Sequence, residues 1–173
     1  ATDPAVETLL ADVRAVNPVA TIIRAASPVT LDDGPDLAGR RVLVVEDGPT
    51  LTHGGMAYGA GTVAARAAGA AALVDPRPWA VGTIADTFDR FPHLGPVLPA
   101  MGYGAAQVEE LRATIAAVDC DVVVTGTPID LGHLIDMAHP TRHAHYVVHE
   151  QGHPDLGDVL DPWIERWSNE PRS

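Results

Sequence analysis

No lysine occurs anywhere in the 173 residues, and every basic side chain apart from histidine is one of eleven arginines. A Walker A loop, G-x-x-x-x-G-K-[ST], needs its lysine on the β- and γ-phosphates, so that motif is excluded within this sequence. Cysteine is equally scarce. Cys120 is the single one, which excludes an internal disulfide and favours a cytoplasmic setting. No apolar run approaches the roughly twenty residues of a spanning helix, and no signal peptide is recognisable, so a membrane is not an expected partner. Positive charge is outnumbered, 11 basic residues against 23 acidic, for a formal net charge of −12. Such a surface repels duplex nucleic acid and anionic membrane, and no nucleic-acid partner is expected.

What is present describes a folded α/β chain. Apolar residues make up 46% of the sequence, enough to bury a core. "DPAVETLLADVRAVN" reads as a helix with Asp3 as cap, Pro4 in its first turn, and Val6, Leu9, Leu10 and Val13 on one face. "ATIIRAA" reads as a short strand, "RRVLVVE" as a strand buried on both faces, "AALVD" as another, and "GPVLPAMGYG" as a strand running into a glycine loop. "AAQVEELRATIAAVD" is a helix, "CDVVVTGTP" a buried strand, "RHAHYVVHE" a final strand, and a helical stretch is expected near Asp158 to Trp167. Strands alternating with helices imply a Rossmann-like, three-layer α/β fold, a mostly parallel sheet with helices on both faces. Ligands of such sheets sit beyond the carboxyl ends of the strands. That rule selects four loops, beginning at Glu46, Asp75, Ala100 and Gly126.

Those loops hold most of the unusual chemistry. "EDGPTLTHGGMAYGAGT", residues 46–62, follows the buried strand and leads into a small-residue helix expected from about Met56 to Gly69. Gly54, Gly55, Gly59 and Gly61 allow close backbone approach to a ligand, and the helix N-terminus adds partial positive charge. Thr50, Thr52, His53 and Tyr58 add polar groups. Gly102, Tyr103 and Gly104 repeat the arrangement before the next helix, and Thr127 to Asp130 follow the later strand. Arg77, held between prolines in "DPRPW", offers a guanidinium for a carboxylate or phosphate. Glu46 and Asp47 end a buried strand and suit Mg²⁺, which takes one or two carboxylates plus phosphate oxygens. Together these residues point to a small anionic substrate with a divalent cation, and Glu46, Asp47 and His53 are the catalytic candidates. The alternative is architectural: the glycines make tight turns, and the two acids cap the loop. "GAGTVA" lacks the third glycine of G-x-G-x-x-G, so a dinucleotide site is not expected. His143, His145 and His149 share one parity on the final strand, where an H-x-H pair has the spacing of a zinc chelate. His149 lies about 20 Å from His143 at roughly 3.3 Å per residue, too far to share an ion, and a solvated or edge-strand histidine face is the expectation.

The stretches "VLVVEDGPTLTHGGMAYGAG", "VDPRPWAVGTIADTF", "PHLGPVLPAMGYG" and "DVVVTGTPIDL" resemble the C-terminal half of the cyclic 2,3-diphosphoglycerate synthetase family, from about Asp3 to Tyr146. That family comprises P-loop NTPases and predicted GTPases. The resemblance implies a ligase-type enzyme using ATP or GTP and Mg²⁺ to activate or cyclise a phosphorylated or carboxylated small acid. It places the nucleotide mainly on an upstream P-loop domain. Residues 1–27 would be the closing helix and strand of that domain, 40–150 an α/β C-terminal domain, and 151–173 a tail. A homodimer is compatible with this organisation. Where relatives carry an R-x-R-Y segment this chain has His143-Ala-His145-Tyr146, which implies a less charged substrate or work at lower pH. The alternative function is a non-catalytic module that binds or senses an anionic metabolite.

Overall fold

The computed structural model describes residues 3–169. The chain forms two compact units, one of residues 29–147 and one joining residues 1–28 to 148–173.

The larger unit is built on a six-stranded sheet. Strand β2 (Val29–Leu31) lies at one edge, followed by β7 (Thr141–Tyr146), β6 (Val122–Gly126) and β3 (Arg41–Asp47). Beyond β3 the first half of its free edge pairs with β4 (Ala72–Leu73), and the second half with β5 (Leu98–Ala100). All pairings are parallel except β2 with β7, so the expected mostly parallel α/β sheet is present, with one antiparallel edge. β3 is the spine. Val42, Leu43, Val44 and Val45 have no exposed surface, and successive side chains of a strand point to opposite faces, so both faces of the sheet are covered here. The run "VLVV" shows why: a parallel strand buried on two sides reads as unbroken hydrophobicity.

The helices expected from the sequence are present, with one difference that matters. Helix α1 (Asp3–Val16) forms where predicted, although the capping role assigned to the Asp3 side chain lies outside the described side chains. The "EDGPTLTHGG" segment is not an open loop. It contains helix α2 (Gly48–Gly54), and the small-residue helix, α3 (Ala60–Ala67), begins four residues later than its expected start at Met56. The reason is local. Asp47 is an N-cap whose Oδ2 accepts from the backbone N–H of Thr50 at 3.1 Å, and Pro49 occupies the first turn, where its missing N–H costs nothing. Gly55, at φ 63°, then closes α2 in the left-handed region. Helices α4 (Gly82–Arg90) and α5 (Ala105–Ala117) follow β4 and β5, and a short 3₁₀ turn, Arg77–Trp79, precedes α4.

The smaller unit consists of α1, a two-stranded antiparallel pair of β1 (Ala25–Ala26) and β8 (His149–Glu150), and helix α6 (Leu156–Asn169). The expected final strand is therefore two strands. β7 ends at Tyr146, and β8 pairs with β1 instead of extending β7. Among the described residues, no helix is long and apolar enough to cross a membrane.

Because Leu43 is fully buried in the spine strand, Leu43→Ala is expected to cost about 2–5 kcal/mol. Urea denaturation followed by circular dichroism measures this, and a loss below about 1 kcal/mol would show that the spine tolerates a cavity.

Candidate functional site

The carboxyl end of β3 delivers two consecutive acids, and the pleat sends them to different tasks. Glu46 shares the parity of Val44 and Val42, so it turns toward the side occupied by α3. Its carboxylate is 1% exposed and is gripped by the N-terminus of that helix. Oε1 accepts from the backbone N–H of Gly59 at 3.0 Å and of Thr62 at 2.8 Å, while Oε2 accepts from Gly61 at 3.2 Å. Amides at a helix N-terminus point outward with no intrahelical partner, and an anion is their natural ligand. The anion they hold is supplied by the protein itself. Burial pushes the Glu46 pKa above its ordinary 4.5, and the Thr62, Gly61 and Gly59 bonds draw it partway back.

The glycines around this carboxylate make room for it. A Cβ on Gly126 would meet Glu46 Oε2 at 2.5 Å and the Gly61 nitrogen at 2.6 Å, and a Cβ on Gly61 would meet Val44 Cγ1 at 2.9 Å. β6 and α3 therefore approach each other so closely at Gly126 and Gly61 that neither position has room for a side chain beside Glu46 and Val44.

Asp47 faces the other way. It caps α2, accepting from both the Thr50 N–H and the Thr50 hydroxyl, the latter at 2.5 Å, and both bonds fall on Oδ2. Above this pair opens a cleft of about 320 Å³ whose walls include Asp47, Thr50, Met56, Tyr58, Pro128 and Tyr146. It lies at the carboxyl ends of β3, β6 and β7, where the sheet topology predicts a ligand. The lining residues include neither arginine nor histidine. Arg66 instead stacks over the Tyr58 ring, its guanidinium carbon 5.1 Å from the centroid.

The residues singled out from sequence distribute unevenly around this cleft. Glu46, Asp47, Thr50, Tyr58 and Gly59 line it. Gly61 sits beneath it, holding Glu46. Thr52 and His53 bond carbonyls of their own helix, Gly48 O at 3.0 Å and Pro49 O at 3.2 Å, and Gly54 and Gly55 terminate that helix. Arg77 is occupied: it pairs with Asp75 at 2.9 Å, donates to Leu94 O at 2.6 Å, and lies over the Phe88 ring. Tyr103 is near enough to Asp47 for that charge, together with burial as the larger cause, to raise its pKa. Gly102 packs against Gln107, and Gly104 is the N-cap of α5. Thr127 is buried and donates to Ile129 O, while Asp130 caps a 3₁₀ turn (Leu131–His133) through the Gly132 N–H. Met56 and Pro128 fall within the stretches 46–61 and 127–130 but have no role of their own in the sequence analysis, and Tyr146 lies outside those stretches. Nothing in an isolated methionine or proline marks a cleft wall, whereas Tyr146, ending a strand predicted to be parallel, carried a usable signal.

His143 and His145 do share a face of β7, with ring centroids 4.5 Å apart. His143 is tied to Thr125, Nδ1 to Oγ1 at 2.7 Å, and its backbone N–H donates to Asp32. Among the described residues the three side chains near enough together to share an ion are instead His153, Asp155 and Asp158, in the smaller unit. Burial, then the neighbouring His145, lowers the His143 pKa below 6.5 against the opposing pull of Asp130 and Asp32.

Compared with known proteins, the chain is 53% identical over 150 residues to the arginine synthetase ArcE of Thermococcus kodakarensis. The match covers 87% of this chain but 34% of that protein, so the chain spans about a third of the length of the curated relative it matches. No protein-family model and no solved structure matches it. The relative bears a synthetase's name, in the broad class implied by the sequence resemblance, although the name is not that of cyclic 2,3-diphosphoglycerate synthetase.

Glu46→Gln should destabilise the chain by about 1–3 kcal/mol, because the amide nitrogen would confront a backbone N–H that now has an acceptor. An unchanged urea midpoint would contradict the clasp. His143 supplies a second expectation. With its folded pKa depressed, the unfolded chain binds the proton more readily, so stability declines as pH falls through about 6.5 toward the folded value. His143→Gln should flatten that part of the pH–stability profile, and NMR titration should place the His143 pKa below 6.5.

Proposed function

We propose that this chain forms the acceptor side of an NTP-dependent ligase, with the substrate seated in the cleft over Asp47. The observation that carries this reading is the 53% identity to a protein named arginine synthetase. It weighs against the alternative of a non-catalytic sensing module. A synthetase couples bond formation to a nucleotide, and the lysine-free sequence offers no Walker A loop, so ATP or GTP would be held by an upstream P-loop domain outside this chain.

The chemistry of the cleft favours one class of ligand. Asp47 is held in place by two bonds to Thr50 on one oxygen, which leaves the other oxygen to meet a substrate. With an acid in the wall and no basic side chain among the lining residues, the cleft suits a cationic group. A guanidinium pairs well with a carboxylate and stacks on an aromatic face, here Tyr146, since Arg66 already lies over Tyr58. A guanidino amino acid, which a protein named arginine synthetase makes, is the first ligand class, seated here as product, and its precursor amino acid would be the acceptor. The contribution of these residues would be positioning: a fixed carboxylate and an aromatic wall orient the acceptor toward a phosphoryl group presented from outside the chain.

A second reading keeps the small anionic acid of the cyclic 2,3-diphosphoglycerate synthetase resemblance, and the EDGPTLTHGGM segment supports it. It requires Mg²⁺ between Asp47 and the anion. The donor set fits such an ion through one carboxylate, Asp47, with phosphate and water oxygens completing the shell. Glu46 does not fit, since both its oxygens are committed to amides. Bound there, the ion would neutralise phosphate charge.

Calorimetry on the full-length gene product separates these readings. Arginine should bind without Mg²⁺, and Asp47→Asn should weaken it by about 1.5–3 kcal/mol, the scale of a charged hydrogen bond. Binding of 2,3-diphosphoglycerate alone, and solely with Mg²⁺, would favour the second reading. If neither ligand binds a protein with a native circular dichroism spectrum, the cleft is not the substrate site.

A further inference from the structure

The smaller unit has apolar faces without a core. Among its described residues none is buried. Yet α6 carries Leu156, Leu160, Trp163, Ile164 and Trp167, spaced at four, three, one and three residues, which is the stripe of a helix that packs against something. These side chains are 48%, 48%, 57%, 56% and 78% exposed. α1 repeats the pattern: Val6, Leu9, Leu10 and Val13 line an apolar groove of about 700 Å³ together with Ile22 and Ile23. Two helices of 14 residues and a two-stranded pair are each marginal alone in water, because their stability comes from covering such faces.

We propose that the α6 stripe and the α1 groove are the seat of a further folded domain, carried in the polypeptide by which the arginine synthetase relative exceeds this chain. The matched 150 residues are 34% of that protein, so roughly 290 residues of it lie outside the match, enough for a domain or two. The rim of the stripe decides against a second copy of this chain. Asp158, Asp161 and Glu165 flank it, Asp158 bonded to His153 at 2.6 Å. Among the described residues of α6 the one arginine is Arg166, folded over Trp163 at 4.2 Å, while Arg24 lines the α1 groove, and the whole chain carries −12. Pairing this face with itself would set acid against acid, whereas a seat with a basic rim is complementary. The same rim opposes an anionic lipid surface. This inference does not rest on the ligand assigned to the cleft over Asp47.

Acrylamide quenching of tryptophan fluorescence, measured on the full-length gene product and on the 173-residue chain, tests the seat. In the shorter chain Trp163 and Trp167, two of three tryptophans, should be freely quenched. In the full-length product both should be shielded, lowering the quenching constant severalfold. Leu160→Asp with Ile164→Asp should restore quenching there while leaving the melting temperature of the 173-residue chain unchanged, because that face already lies in water. Equal quenching in the two proteins would overturn the proposal. So would a dimer of the 173-residue chain, seen by sedimentation, that the two aspartates dissolve, or a blue shift of its tryptophans on phosphatidylcholine vesicles.

Discussion

The carboxylate of Glu46 organises the larger unit. A charged or polar group at the centre of an α/β sandwich is costly unless its bonds are made, and here three backbone amides at the start of α3 make them. The interaction ties the end of the spine strand to the helix that follows it, thirteen to sixteen residues later in the chain. It also fixes the course of everything between. With residue 46 anchored inward, Asp47 must turn outward on the pleat, cap α2 and present a carboxylate oxygen to the cleft. The cleft is in this sense a consequence of the clasp, since its floor is the backbone that grips Glu46.

The clasp explains two of the five glycines in residues 46–62, Gly59 and Gly61. A helix N-terminus that binds a side-chain carboxylate needs its amides unshielded, and β6 must pass within touching distance of α3 at Gly126 and Gly61. Glycine-rich strand-to-helix connections of this sort are commonly associated with phosphate, because phosphate is the usual external anion for exposed amides. In this chain the same physics is satisfied from within. That difference changes what the neighbouring cleft has left to offer: one fixed acid, two tyrosine rings and an apolar wall, with no basic side chain among the residues lining it. The inward and outward acids thus separate architecture from recognition at adjacent positions.

Periodicity and composition carried the general plan. The unbroken apolar run at β3 and the alternation of the two element types made a mostly parallel, covered sheet legible, because each reflects burial that the element imposes on its own residues. The absence of lysine likewise excluded a Walker A loop without reference to any fold. Positions such as Asp47 and Thr50 were found by the rule that ligands gather at the carboxyl ends of parallel strands, which is again a property of topology that a sequence pattern can reach. The helix hidden in "GPTLTHGG" was within reach too, through the Asp47 cap and Pro49, but its seven residues are too few to show a period.

What only the tertiary structure decided is which partner each polar group takes. The sequence by itself determined that two acids end a buried strand, that an arginine is mounted between prolines, and that threonine and histidine crowd a glycine segment. It could not determine that Glu46 is claimed by amides up to sixteen positions away, that Arg77 is claimed by Asp75 and the Leu94 carbonyl, or that Thr52 and His53 bond their own helix. Hydrogen-bond and ion-pair choices depend on distances of a few tenths of an ångström between groups that packing brings together. Residue type records only the capacity to bond, and the packed backbone decides how that capacity is spent.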